Sequence, residues 1–178
     1  MFEYEAEIDA FARCLQDFID KYELPNKWFA LADHIAIKCA DADDYEYKIQ
    51  DIIMDATQGS EIDLDGRRLA ALQLTSPQEI KDLGQVSWLE IMEPRPEKIG
   101  KDIVGIEHIE FYYPTFDEIT EVLEGAGVAY RKQANPGHEW ISIVLNQQGH
   151  ELKLNNRLLQ DIVAEELQDG TSHLLFAY

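Results

Sequence analysis

One phrase occurs twice in this chain. Asp33-His34-Ile35 and Glu107-His108-Ile109 lie 74 residues apart, and the pattern around each runs in the same order. The first phrase sits in an expected strand, residues 29–39. An acidic stretch, Asp41-Ala42-Asp43-Asp44, then suits a helix N-terminus, where carboxylates meet free N–H groups and the positive end of the dipole. Ile49, Ile52 and Ile53 give that helix a buried stripe, and Gly59 is read as its stop. Strands follow near Ile62, over 67–74 and over 86–92, with Asp65-Gly66 as a turn. Pro94-Arg95-Pro96 reads as a linker. The second phrase lies in a strand over 105–113. Thr115-Phe116-Asp117-Glu118 reads as a capping box, Gly125-Ala126-Gly127 as a helix end, and strands follow over 128–133, 139–145 and 150–155. A duplicated βαβββ unit restricts the chain to folds in which two copies pair, so that what one copy places on a strand the other places again.

Outside the repeat, Ile8, Phe11, Leu15, Phe18 and Tyr22 recur at helical spacing within residues 2–23, and Leu24-Pro25-Asn26 ends that helix. A last helix starts near Leu158 and carries Leu159, Ile162, Val163 and Leu167. The tail Leu174-Leu175-Phe176-Ala177-Tyr178 is apolar enough to be expected to dock on the molecule. The expected architecture is α+β: an N-terminal helical extension (1–28), a first βαβββ module (29–96), and a second module with a C-terminal helix and tail (97–178). Together the modules form a curved mixed sheet around a cleft.

Charge limits the partners. With 35 acidic and 15 basic residues the net charge is −20, which opposes binding to nucleic acid or to anionic membrane surfaces. No run of about 18 apolar residues is present to span a bilayer. The acidic opening MFEYEAEIDAF has no basic segment followed by an apolar core, so a cytoplasmic protein is expected. In that compartment Cys14 and Cys39 are expected as free thiols.

Strand alternation sorts the chemistry onto one face. Ile35, Ile37, Leu89, Ile91, Ile109, Phe111, Leu152 and Leu154 form apolar faces suited to packing under helices. The opposite faces carry His34, Glu90, His108 and Glu151, alongside Trp88, Glu110, Tyr112 and Lys153. Two imidazoles and one or two carboxylates converging from central strands make a mixed N/O site for a divalent ion: Zn, Ni, Mn, Fe or Co. Arg67 is a candidate anion contact, Trp88 and Tyr112 are candidate pocket walls, and His138 and Glu139 either line a cleft or, the favoured reading, sit on a surface turn.

This layout resembles the vicinal oxygen chelate superfamily (glyoxalases, bleomycin-resistance proteins, extradiol dioxygenases). More narrowly, Ala32-Asp33-His34-Ile35-Ala36-Ile37-Lys38-Cys39, Asp65-Gly66-Arg67 and Glu107-His108-Ile109-Glu110 are similar to the YecM group of metalloproteins, over roughly residues 5–168. The resemblance implies ligands from the first and last strands of each module, which fits His34, Glu90 and His108. It departs at the fourth position. Four residues after Gly149, where the superfamily usually has Glu, stands Lys153, with Glu151 two residues before it. Either Glu151 substitutes, or three ligands leave positions open for water or substrate, or the metal site is lost and Lys153 binds an anion or pairs with Glu151. The expected function is therefore a divalent-metal-dependent enzyme of isomerase, dioxygenase or lyase type. It would act on a small molecule chelated through adjacent oxygens, with Glu151 as catalytic base. The alternative is a non-catalytic small-molecule-binding module of the same fold. A monomer or homodimer is expected.

Overall fold

The computed structural model describes residues 4–135 and 137–177. In chain order the elements are α1 (Glu5–Tyr22), β1 (Ala32–Lys38), α2 (Ala42–Ile52), β2 (Ala56–Leu64), β3 (Arg67–Ile80), β4 (Gly84–Met92), β5 (Gly105–Tyr112), α3 (Asp117–Gly125), β6 (Arg131–Asn135), β7 (His138–Val144), β8 (Glu151–Asn155), α4 (Leu159–Asp169) and β9 (Ser172–Ala177). The strands form one mixed sheet in the order β6-β7-β8-β5-β1-β4-β3-β2-β9. In each half the first and last strands of the βαβββ unit pair in parallel, β1 with β4 and β5 with β8. The halves meet at the antiparallel β1–β5 pair. Strand order is thus the same read outward from either side of that junction, as duplication requires.

Each half builds its apolar face as alternation demands. Ile35, Ile37, Leu89, Ile91, Ile109, Phe111, Leu152 and Leu154 are fully buried. They share a core with the stripe of α1 (Ile8, Phe11, Leu15, Ile19), with Tyr45 and Ile52 of α2 and with Ile119 and Leu123 of α3. Removal of such side chains from water, at about 1.5–3 kcal/mol each, is the main force holding helices to this face. The opposite face is left for chemistry. Both thiols are free, with Cys39 buried, and no helix among the described residues is long and apolar enough to cross a membrane.

Several boundaries differ from the sequence reading. Asp41 caps α2 by accepting from Asp44 N at 2.9 Å. The helix then tightens into a 3-10 turn at Ile53–Asp55, and Gly59 lies inside β2 instead of ending the helix. The Thr115–Glu118 capping box does not form. Glu118 is held by Lys27 at 2.5 Å, and α3 begins at Asp117 behind Phe116, which makes no side-chain cap. β6 starts at Arg131 because Val128 closes the end of α3 instead, donating to Leu123 O. Residues 2 and 3 of the expected first helix lie outside the described residues.

The C-terminal segment docks twice. α4 crosses the chemical face, seating Leu159, Val163 and Leu167 on Ala71 and Trp88. β9 then adds to the edge of β2, with Gly59 opposite Phe176. The apolar tail docks as its composition suggested; its last residue, Tyr178, lies outside the described residues.

Candidate metal centre

Register decides which side chains meet. Across the sheet, one row holds Ala71, Glu90, Ala36 and His108, and the next holds Trp88, His34 and Glu110. Glu151 neighbours His108 in the first row, and Lys153 neighbours Glu110 in the second. Ala36 is the small residue at the middle of the first row, between Glu90 and His108, and packs with Leu69 and Met92. The ligand atoms of His34, Glu90 and His108 lie within 4.8 Å of one another. Donors sharing an ion at about 2.1 Å stand no more than about 4.2 Å apart, so a shared ion would need only a modest rotamer adjustment.

Each imidazole is oriented by the acidic residue before it. Asp33 Oδ2 lies 3.0 Å from His34 Nδ1, and Glu107 Oε2 lies 3.2 Å from His108 Nδ1. Nδ1–H donation to a carboxylate leaves the Nε2 lone pair for a metal, the usual support of a ligating histidine. Both Nε2 atoms face Glu110, whose Oε2 lies 3.9 Å from that of His34 and 3.8 Å from that of His108. His108 Nε2 is buried with no hydrogen-bond partner. An orphaned buried nitrogen carries a desolvation cost, and a bound cation removes it. The donor set of two imidazoles and one or two carboxylates fits a divalent transition ion.

Electrostatics separates the two histidines. Burial opposes the imidazolium of His34, but Glu110 and Asp33 outweigh it and raise its pKa to about 9. For His108, burial and then Lys153 hold the pKa below the ordinary imidazole value. Glu110 stays below the usual carboxylate range despite burial, because His34, Lys153, His108 and Asn155 favour its anion.

The cavity over this cluster has a volume of about 390 Å3 and includes His34, Glu90, His108, Arg67 and Lys153. Other expected site residues are elsewhere. Glu151 pairs with Arg131 and is not among the cavity-lining residues; it lies in an adjoining groove. At the fourth position Lys153 lines the cavity, and the Arg131 guanidinium holds Glu151 outside it. Trp88 is buried beneath α4, and Tyr112 sits at the end of β5, so neither walls the cavity.

Three residues outside the expected ligand set join the site. Glu110 joins the centre directly, and its signal was the two-residue step from His108 along one strand face. His138, expected on a turn, lies in β7, where it lines the cavity with a buried, unpartnered Nε2. Glu166 arrives on α4, where burial, then Asp169 and Glu90, raise its pKa above the usual carboxylate range. Nothing in the local sequence of α4 shows that it will cross the cleft.

Several solved structures are similar to this chain. The structural genomics protein EC4020 aligns at 20% identity over 90% of each chain, with a TM-score of 0.72. Streptomyces coelicolor methylmalonyl-CoA epimerase, with 2-nitronate-propionyl-CoA bound, aligns at 22% identity over 71% of this chain and 96% of that one, TM-score 0.47. The Mycobacterium tuberculosis methylmalonyl-CoA epimerase gives 18% identity over 75% and 91%, TM-score 0.48. No curated protein sequence matches at a significant level. The profile of the YecM protein family matches residues 2–166, and the chain belongs to that family.

Proposed function

We propose that this protein is a divalent-metal-dependent enzyme acting on a small molecule that binds the ion through adjacent oxygens. The observation that carries the reading is the pair of buried imidazoles, each oriented by a carboxylate at Nδ1 and each presenting Nε2 to a common point beside Glu110 and close to Glu90. His34, Glu90 and His108 would hold the ion, with Glu110 as a fourth donor in place of Glu151. When bound, the ion supplies Lewis-acid polarisation of a coordinated oxygen. The chain's own groups do the rest. Ala36 keeps the row between Glu90 and His108 free of a larger side chain, and α4 covers the side over β3 and β4. Glu166, a carboxyl with a raised pKa lining the cavity, holds or accepts a proton. Glu151, tied to Arg131 outside the cavity, is poorly placed for that role.

A second reading, a non-catalytic binding module, draws on Lys153, a cation lining the cavity at the superfamily's usual fourth-ligand position. Metal content separates the two. Purification without added metal, followed by mass spectrometry, should find about one transition-metal ion per chain. His34→Ala and Glu90→Ala should each lower occupancy steeply, since lost donors must be replaced by water. A wild-type chain that takes up no transition metal on dialysis would favour the binding module.

A further inference from the structure

The basic residues of this acidic chain are not evenly spread. Adjoining the metal cavity is a groove of about 530 Å3 lined by Lys38, Arg67, Arg95, Lys98, Arg131 and Lys153. These are six of the 15 lysines and arginines in a chain of net charge −20. Only three carboxylates, Asp102, Glu107 and Glu151, line the same groove. Lys38 pairs with Asp102 and Glu107, Lys98 with Asp102, Arg131 with Glu151, and Arg95 reaches out to Asp65.

Arg67 and Lys153 differ from the other four. Among the described residues neither has a carboxylate within ion-pair distance, and Arg67 Nε is buried without a hydrogen-bond partner. They also line both the groove and the metal cavity. Topology explains the placement. The candidate ligands come from β5, β1 and β4, and the flanking strands β8 and β3 carry Lys153 and Arg67. The two cations therefore bracket the ligand set from opposite halves of the sheet. Both side chains are half-buried; Lys153 neighbours Glu110 and favours its anion, whereas the buried Arg67 Nε has no partner, and a donor left so is costly unless an acceptor answers it. The surrounding negative charge further restricts what enters to species that these cations hold directly.

We propose that Arg67 and Lys153 form an oxyanion-binding site, and that the substrate is a small organic anion, a phosphate ester or a polycarboxylate, whose charged group lies in the basic groove while its adjacent oxygens face His34, Glu90 and His108. The substrate class rests on the metal-enzyme reading; the anion site does not, because its residues are distinct from the ligands.

Calorimetric titration of the chelator-treated, dialysed full chain tests the site without metal interference. One arm uses inorganic phosphate and the other tricarballylate, which separates phosphate from carboxylate recognition. Saturable binding in at least one arm is expected. Arg67→Gln and Lys153→Gln should each weaken it severalfold, and the double variant by roughly tenfold or more. Arg67→Lys and Lys153→Arg should retain most of the affinity, which separates charge from folding. Lys81→Gln, an exposed lysine outside the groove, should bind as wild type. No saturable binding in either arm, unchanged binding by the double variant, or an equal loss in Lys81→Gln would each overturn the proposal. Phosphate or tricarballylate binding by a chain that takes no metal would uphold the anion site while removing the metal reading. Metal uptake without anion binding would do the reverse.

Discussion

The centre depends on a few side chains whose roles differ in kind. Ala36 contributes by being small. It sits between Glu90 and His108 in one row of the sheet and is fully buried. Ala36→Leu should therefore abolish metal uptake while leaving every candidate ligand in place, with retained circular dichroism showing that the fold persists. Asp33 has two duties. Its carboxylate accepts from Leu159 N at 3.0 Å, at the start of α4, and orients His34. Asp33→Ala should weaken metal binding by roughly 10- to 100-fold and also loosen the first turn of α4, read as faster amide exchange there; full protection of α4 in the variant would contradict this role. Cys39 is chemically silent by contrast. Burial foremost pushes its thiol up to about 12, so the thiolate is scarce at neutral pH. Under native conditions a thiol reagent should modify Cys14, which is partly exposed, well before Cys39, and both at similar rates once the chain is unfolded.

The C-terminal elements are where the duplicated pattern ends and new contacts begin. β9 approaches β2 closely because Gly59 has no side chain; a Cβ there would collide with Phe176 and lie 2.8 Å from Leu72 Cδ2. Gly59→Ala should cost about 1–3 kcal/mol, several degrees in Tm. Phe176→Ala in the same chain should recover part of the loss. Additive effects in the double-mutant cycle would show that β9 does not press on Gly59. At the end of β4, Arg68 donates to Glu93 through its backbone N at 3.2 Å and its Nε at 2.9 Å, holding the Glu93 carboxyl below its usual pKa. A lowered pKa stabilises the fold above the unfolded value of about 4.5, and that contribution fades as pH falls through the folded value. Glu93→Gln should accordingly cost about 1 kcal/mol at pH 7, with the gap to wild type closing in denaturation midpoints measured toward pH 3.

For the molecule as a whole, the junction between β1 and β5 matters most. Across it Lys38 of β1 pairs with Glu107 of β5, the residue that orients His108. Neither half carries the whole candidate ligand set, since His34 and Glu90 come from one and His108 from the other. A chain truncated after residue 96 would bare the β1 edge and its apolar neighbours, and should aggregate or remain unfolded. At one end of the full sheet β6 is an exposed edge bearing Arg131 and Lys132, the charged kind of edge that resists strand-on-strand association.

How far the residues alone reached follows from the range of the forces involved. Strand alternation and helix spacing are local, so the apolar faces, the paired modules and the shared face of His34, Glu90 and His108 were readable before any coordinates. For Glu151, alternation gives a face and not a partner: only packing shows the carboxylate paired with Arg131. Glu110 was visible on the right face, yet its position between two imidazoles depends on the β1–β5 register, which joins strands some 70 residues apart in sequence. Trp88 had the composition of a pocket wall, and α4 covers it. Glu166 and the basic groove were beyond local reading for one reason. Each arises where segments distant in sequence are folded against one another, and no periodicity within a segment encodes which distant segment will cover it.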